Sequence, residues 1–573
     1  MMIKHKAVVL GLSVIAVAAL LGGTISRASR SHSHPKQSST PAPVETSTIE
    51  DDYVGALDAV TNNYAGGVDY ERATQAAIQG MLSTLDPHSN YFPRAEFTRL
   101  QQDQDSRFFG IGVTILQHRD GVYVQTTIPG TPAARAGLRY GDRIVEIDGD
   151  DARDWTSQLV SKRVRGEFQQ PVRIKVERPG SQSPIAFTIL RDSVPLPSIR
   201  DSFIIRPGIG YIGLTGGFQH TTDDEIREAL GKLKQQGMHQ LILDLRNNPG
   251  GLLEQAIDVS SEFLDKGKVI VSVKGRKEYS EPKIYRSTGS DNGDFPLVVL
   301  INRGTASASE IVAGAIQDHG RGLLIGETSF GKGLVQRVYP LLGGTGLTLT
   351  TAHYFTPYGR LIQRDYSSGA FYEYYIRRDP ADEKAMTKPS NKGPSTKGEV
   401  APSPTPSPTP PAGPGVKTAG GRVFYGGGGI TPDFEVKELQ LTPTRQLISE
   451  AVFFFNRQLM SGIIPGLESF KVEKADFDHE LKTSDFPASD RVIEAFRVFV
   501  QRNPLEQVTP TQIDSEMDFL KLRLRMEMVT AAFGGDASQR VLLEGDPEIL
   551  RSYDVFPDAK RLADSTRNDV EIG

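Results

Sequence analysis

Apolar residues change their spacing several times along this chain, and each change predicts a different kind of element. Ala7 to Ile25 is an uncharged run rich in Ala, Val and Leu, preceded by Lys4 and Lys6. It reads as a secretory signal or an N-terminal membrane anchor. Arg30 to Thr48 is rich in Ser, Pro and His and poor in apolar residues, so it reads as a flexible tether. Between Ile49 and Leu100, Tyr53, Ala56, Leu57 and Val60, then Ala73, Ala77, Ile78, Met81 and Leu82, recur at helical spacing. From Phe108 to about Arg191 the pattern turns β-like, in the short runs GIGVTIL, GVYVQTTI, DRIVEIDG, VRIKVER and IAFTILR.

From Ile209 strands alternate with helices. Strands are predicted at Gly210–Leu214, Leu241–Leu245, Pro296–Ile301, Gly322–Gly326 and Leu347–Tyr354, with Leu334 and Val335 also in strand. Helices are predicted at Thr222–Gln236, Leu252–Phe263 and Glu310–Gln317. Such alternation implies an α/β core with crossover connections, and chemistry at strand ends where loops meet helix N-termini. Asp379 to Gly420 is polar and then proline-rich (APSPTPSPTPPAGPG), which predicts an extended insertion serving as a spacer. Beyond Leu441 helices are predicted at Arg445–Met460, Ser489–Val500 and Thr511–Phe533. Their apolar faces need a partner, which the core or another copy of the chain would supply.

Composition narrows the function classes. A length of 573 residues allows several domains. The net charge of −5 gives no argument for nucleic acid or an anionic membrane surface. The absence of cysteine removes disulfides and thiolate metal sites. No HExxH or clustered His/Asp/Glu pattern appears, so neither metal nor cofactor is expected.

The densest candidate chemistry lies between Asn302 and Gln336. Ser307 and Ser309 precede a helix, and Lys332 stands between Gly331 and Gly333. A serine at a helix N-terminus has backbone N–H groups and the helix dipole beside it, which favour a developing negative charge. Flanking glycines let a lysine approach closely, and a desolvated lysine titrates low enough to act as a neutral base. Together these make a serine–lysine nucleophile pair. Gly326 to Lys332 also spells G-x-x-x-x-G-K, the opening of a phosphate-binding loop. That motif needs Ser or Thr next and a following helix, where this chain has Gly333 and a strand. His319 would lie roughly 18 Å from Ser307 at ~1.5 Å per helical residue, too far to be its base. His88, in the Asp86-Pro87-His88-Ser89 turn, receives no role, nor does Trp155, which reads as packing in the β-like region.

TASASE (Thr305–Glu310) followed by FGKGLVQ (Phe330–Gln336) resembles the C-terminal processing peptidases, or tail-specific proteases. Many members have SASASE, so Thr305 is a departure outside the catalytic position. The likeness extends from about Thr48 to Val436 and includes LDPHSNYF, PYGRLIQ and GGRVFYGGGGITPDFEV. It implies that Ser307 is the nucleophile, Lys332 the base and Gln336 the residue that orients the lysine. An oxyanion needs two preorganised N–H donors. Ala308, after the nucleophile, supplies one; the resemblance assigns the other to Gly251 of Arg246-Asn247-Asn248-Pro249-Gly250-Gly251, with Gly250 as the fallback. TPAARAGLRYGDRIVEIDG (Thr131–Gly149) resembles a PDZ domain. Gly110, Ile111, Gly112 and Val113 fall at its carboxylate-binding loop, where free N–H groups and a strand edge would take a peptide C-terminus.

The expected fold class is α/β multidomain: an α/β peptidase core with an inserted PDZ-like β domain and helical N- and C-terminal segments. The boundaries are 1–30 signal or anchor, 31–48 tether, 49–107 helical, 108–191 PDZ, 192–440 core with its insertion at about 379–420, and 441–573 helical. The expected function is an exported serine endopeptidase, periplasmic or on the extracytoplasmic face of the membrane, tethered or secreted. Its partners are protein substrates bound by their C-termini, and an adaptor protein or oligomerisation is compatible with the chain. The rival, a non-catalytic PDZ scaffold, would need none of Ser307, Lys332 and Gln336.

Overall fold

The computed structural model describes residues 46–276, 281–290, 293–366 and 413–568. The expected signal or anchor, nearly all of the tether, and the proline-rich insertion up to Ala412 lie outside them. No helix among the described residues is long and apolar enough to cross a membrane. Two compact units meet in sequence at Thr74 and Gln75. In the first, α1 (Thr46–Asn63) is exposed along its described length, including Ile49, Tyr53 and Val60. Helix α2 (Tyr70–Ser83) runs from the first unit into the second.

The stretch expected to be helical up to Leu100 is interrupted by strand β1 (Asn90–Phe92) before α3 (Arg94–Gln104). Pro87 and Pro93 bracket this strand, and residues before proline avoid helical geometry.

The β domain follows. It comprises β2 (Arg107–Gly110), β3 (Val113–His118), β4 (Gly121–Thr127), α4 (Pro132–Ala136), β5 (Arg143–Ile147), β6 (Asp150–Asp151), α5 (Ser157–Val164), β7 (Pro171–Glu177), β8 (Ile185–Leu190) and β9 (Asp192–Pro195). Its antiparallel sheet runs β3-β4-β5-β7-β8, with β6 on β5, and β2 pairs with β9 where the domain leaves and rejoins the core. The period-two reading is literal in β7, where Val172, Ile174 and Val176 are buried and their neighbours face out. Among the described residues strand β3 pairs only with β4, which leaves it at the edge of the sheet.

The core holds β10 (Ile199–Arg206), β11 (Ile209–Leu214), α6 (Thr222–Gln235), β12 (Gln240–Asp244), α7 (Leu253–Ser261), β13 (Val269–Gly275), β14 (Lys283–Arg286), β15 (Leu297–Ile301), α8 (Ala308–Asp318), β16 (Leu323–Gly326), β17 (Leu334–Pro340), β18 (Gly346–Phe355), β19 (Gly415–Lys417), β20 (Val423–Tyr425) and β21 (Phe434–Glu435). The central sheet has the order β10-β11-β12-β15-β16-β21 and is parallel from β11 onward. Leu241, Leu243, Val299 and Leu324 on one face pack against α6, α7 and α8. A second sheet, β1-β18-β13-β14 with β17 on β18, carries the lysine end of the site. Strands β19 and β20 form a hairpin, so the expected excursion to Gly420 is already ordered structure from Gly415.

Beyond Leu441 the chain forms α9 (Pro443–Leu459), α10 (Asp490–Arg502), α11 (Pro510–Ser515), α12 (Met517–Phe533), α13 (Gly535–Glu544) and α14 (Pro547–Asn568). The single helix expected at Thr511–Phe533 breaks at Glu516, which leaves helical geometry (φ −117°, ψ 30°) and binds Arg445 at 2.8 Å. Helix α14 covers the other face of the central sheet: Ile549, Val555, Phe556 and Ala559 meet Tyr211, Ile242, Val298, Leu300 and Ile325. Helix α9 grips the β domain. Phe453 stacks on His118 at 3.7 Å between ring centroids and meets Tyr123 edge-on at 5.2 Å. His118 Nδ1 lies 2.8 Å from Glu450, and Arg119 pairs with Glu506 at 2.7 Å. Of the two partners left open by the sequence, the helical region takes the core and extends to the β domain.

Phe453 is fully buried. Phe453→Ala should cost ~3–5 kcal/mol locally. Hydrogen exchange should then speed up at residues 113–127 while β12 and β15 keep their protection; unchanged exchange in the hairpin would count against this grip.

Candidate active site

Ser307 enters α8 with φ 57° and ψ −115°, a conformation that costs a side-chain-bearing residue ~1–3 kcal/mol unless its surroundings impose it. Here they do. Ala306 N–H donates to Asn248 O at 2.9 Å, Tyr354 Oη–H to Ser307 O at 3.0 Å, and Phe330 N–H to Thr305 O at 2.9 Å. Ser307 is half-buried, whereas Ser309 is fully buried and donates its hydroxyl to Asn248 O at 3.1 Å. Only the first serine is therefore accessible to a substrate. Thr305, the departure from the serine of many relatives, donates its hydroxyl to Leu245 O at 2.8 Å, a bond a serine would also make.

One carboxylate joins the serine turn to the lysine loop. Glu310, fully buried on α8, accepts Ser307 N–H at 2.8 Å and Lys332 N–H at 2.9 Å on Oε2. On Oε1 it accepts Gly331 N–H at 2.7 Å and the Ser329 hydroxyl at 2.5 Å. Burial pushes its pKa up, and these four donors work against that. The N–H groups a phosphate-binding loop would turn toward a nucleotide are thus occupied by Glu310, which removes the nucleotide reading. Sequence reasoning gave Glu310 no role. Its signal was the S-x-x-E spacing of a capping box, of which the glutamate half forms here.

Lys332 Nζ donates to Gln336 Oε1 at 3.0 Å, and Gln336 Nε2 donates to His88 O. Burial lowers the lysine's pKa, while the charges of Glu310 and Asp86 act to raise it. His88, left without a role by the sequence, is buried beside this lysine. Its own pKa is lowered to about 4, first by burial and then by Lys332, with Asp86 opposing. His319 caps the far end of α8 with Nε2 2.7 Å from Val269 O, away from the serine.

The turn Asn247–Gly251 abuts the serine. A Cβ on Gly250 would lie 2.7 Å from both Ala306 O and Ser307 Cβ, and Gly250 has φ +94°, so only glycine fits. Gly250 N–H is already given to Asn248 Oδ1 at 2.9 Å. Among the described residues no acceptor is found for the N–H of Gly251 or of Ala308. The free pair is therefore Ala308 with Gly251 rather than Gly250. Arg246, at the root of the turn, pairs with Asp244 at 2.6 Å, Asp546 at 2.7 Å and Glu548, so α14 and the residue preceding it help to hold the turn. Burial raises the Glu548 carboxyl to about 8 despite this pairing.

Residues 208–368 match peptidase family S41, and residues 110–189 match the PDZ domain. A carboxy-terminal-processing protease of Bartonella bacilliformis is 38% identical over 310 residues, 54% of this chain and 71% of that one. Carboxy-terminal processing protease CtpB of Bacillus subtilis is 31% identical, over 58% of this chain and 70% of that one. The chain belongs to the C-terminal processing proteases of peptidase family S41. Among solved structures, the photosystem II D1 C-terminal processing protease is 32% identical over 54% of this chain and 82% of that one, with a TM-score of 0.32.

In this C-terminal processing protease the PDZ loop has spent its carbonyls and kept its donors. Ile111 O accepts from Ala133 N–H at 2.8 Å and Gly112 O from Ile128 N–H at 3.0 Å. No acceptor is found among the described residues for Ile111 N–H or Gly112 N–H. Beside them lies a small groove between β3 and α5, lined by the apolar Phe108, Ile111, Val113, Ile115 and Val164 together with Ser161 and Arg165. A cleft of about 1160 Å³ runs from Ile115, Ser161 and Arg165 of the PDZ domain to Phe218, Gly250 and Gly251. Ile115, Ser161 and Arg165 line both the groove and this cleft, whose far end is formed by the glycine turn that abuts Ser307.

Removing the Glu310 carboxylate would leave buried donors unpartnered in both loops. Glu310→Ala should cost at least ~3 kcal/mol at about 1–3 kcal/mol per orphaned donor. It should lower kcat ~100-fold through misplacement of reacting groups. Thermal melting and single-turnover cleavage check the two losses, and full activity would remove Glu310 from the site.

Proposed function

We propose that Ser307 is the nucleophile and Lys332 its general base, in an endopeptidase that selects substrates by their C-termini. The observation that carries this reading is the lysine: buried enough to titrate low, hydrogen-bonded by Gln336, and tied to the serine turn through Glu310. Neutral Lys332 takes the Ser307 hydroxyl proton as Oγ bonds to the peptide carbonyl carbon. The carbonyl π electrons move to oxygen, which rests on the N–H groups of Ala308 and Gly251. Collapse breaks the C–N bond, and the Lys332 ammonium returns its proton to the leaving amine. Water, deprotonated by Lys332, then attacks the acyl carbon; the bond to Ser307 Oγ breaks, and the Lys332 ammonium returns its proton to Oγ as the acid leaves. Gln336 holds the amine throughout.

The PDZ groove supports C-terminal recognition. Free N–H groups of Ile111 and Gly112 suit a carboxylate, the apolar lining suits an apolar last residue, and the sheet-edge position of β3 suits an extended chain. The cleft would then lead the chain toward Ser307. Export is part of the same proposal, carried by Ala7–Ile25 behind its lysines. It places the protease in the periplasm or on the extracytoplasmic face of the membrane, and a fusion to an exported reporter tests it.

Two measurements check the chemistry and the recognition. Ser307→Ala and Lys332→Ala should each abolish cleavage of an unstructured protein with an apolar C-terminus. In the wild type kcat should rise with pH through one ionisation below the free-lysine range, because burial depresses Lys332 and the neutral amine is the active form; a limb at the ordinary lysine pKa would contradict this. Amidating the substrate C-terminus should raise KM roughly 10- to 100-fold, from the ~1.5–3 kcal/mol of hydrogen bonds to a charged group. Equal KM for acid and amide would mean that the groove does not read the carboxylate.

A further inference from the structure

The turn Asp86-Pro87-His88-Ser89 is not used by the mechanism above, yet its three polar residues are buried. We propose that this turn is the positioning element of the catalytic lysine: it fixes the Gln336 side-chain amide so that its carbonyl faces Lys332. The inference rests on Lys332 being the base.

Asp86, His88 and Ser89 are 7%, 8% and 1% exposed. Burying such groups is costly unless they are hydrogen-bonded, and Asp86 meets that need. Its Oδ1 accepts His88 N–H at 2.7 Å and Ser89 N–H at 2.8 Å, and its Oδ2 accepts the Ser89 hydroxyl at 2.7 Å. The turn is also stapled to the hairpin that carries Gln336. Strand β1 pairs with β18, Ser89 Oγ accepts Thr350 N–H at 3.2 Å, and Thr350 is the cross-strand neighbour of Gln336.

The consequence falls on an amide that could point either way. His88 O accepts from Gln336 Nε2, from Asn90 Nδ2 at 3.0 Å and from Thr348 Oγ1 at 3.3 Å. A carbonyl oxygen only accepts, so the Gln336 NH₂ must face it and Oε1 must face the lysine. A flipped amide would set oxygen against oxygen and NH₂ against amine. Neutral lysine has two N–H bonds and one lone pair. With one N–H held by Oε1, the rotation of the amine is restricted and the lone pair is kept for the serine proton.

The turn also sets charge. The charges that act on Lys332 are Glu310 from α8 and Asp86 from the turn; His88 is itself lowered by burial and by Lys332, and the Tyr366 phenol is raised by burial and then by Asp86. Asp86 favours the ammonium, and His88 is neutral except in acid. Removing the Asp86 charge should therefore lower the lysine's pKa.

The test uses the full chain as wild type, Asp86→Ala, Asp86→Asn and Lys332→Ala, with kcat and KM measured across pH and folding followed by thermal melting. Asp86→Ala should lose ~10- to 100-fold in kcat with KM little changed, as expected for a misplaced catalytic group. Asp86→Asn retains an oxygen for the two backbone donors. It should recover most of kcat while its pH limb moves to lower pH. A folded Asp86→Ala with wild-type kcat overturns the proposal. So does an Asp86→Asn limb that stays in place, which would leave the turn a purely structural role. If Asp86→Ala fails to fold, the Asp86→Asn limb decides alone. Activity in Lys332→Ala would instead remove the base assignment on which the proposal rests.

Discussion

The catalytic end of this protease depends on one buried carboxylate. Glu310 takes four donors from two loops that are more than twenty residues apart in sequence, beside the single backbone bond from Phe330 N–H to Thr305 O. Its desolvation is unfavourable alone and acceptable because every donor is in place. This makes the site cooperative. If Ser307 leaves its positive-φ conformation, Glu310 loses a donor, and the backbone of Lys332 loses part of its hold.

A second layer of constraint comes from the C-terminal helices. They supply what a parallel sheet requires, an apolar cover for its second face, through α14. The same region reaches the Asn247–Gly251 turn through Arg246 and the PDZ hairpin through Phe453 and Glu450. The PDZ groove and the serine turn therefore share a frame built by the C-terminal helices. Arg246 pairs with three carboxylates, and Glu548 among them is raised first by burial, with Arg246 opposing and Asp546 adding to the rise.

Much of the local structure was legible. Residues with period two became β7, and the alternation after Ile209 became the parallel sheet, because burial on a flat or cylindrical face forces those spacings. The errors have equally local causes. Strand β1, directly after the turn read at Asp86–Ser89, was not read as a strand because its partner, β18, lies far along the chain. The helix read as continuous from Thr511 to Phe533 breaks at Glu516, whose side chain is drawn to Arg445. Helices α13 and α14 were not separated in the sequence, although α14 proves essential to the sheet's second face.

By itself the sequence determined most of the elements, the family resemblance and a short list of candidate site residues: Ser307, Lys332 and Gln336 sit in motifs that can be read locally. Three further decisions belonged to the tertiary structure. Burial distinguished Ser307 from Ser309, and the hydrogen bond to Asn248 distinguished Gly250 from Gly251 as a free donor. The approach of the Asp86 turn gave His88 a place beside the lysine. Each depends on which polar groups are left unpaired after the chain closes on itself. That is a property of contacts between distant segments, which spacing along one segment does not encode.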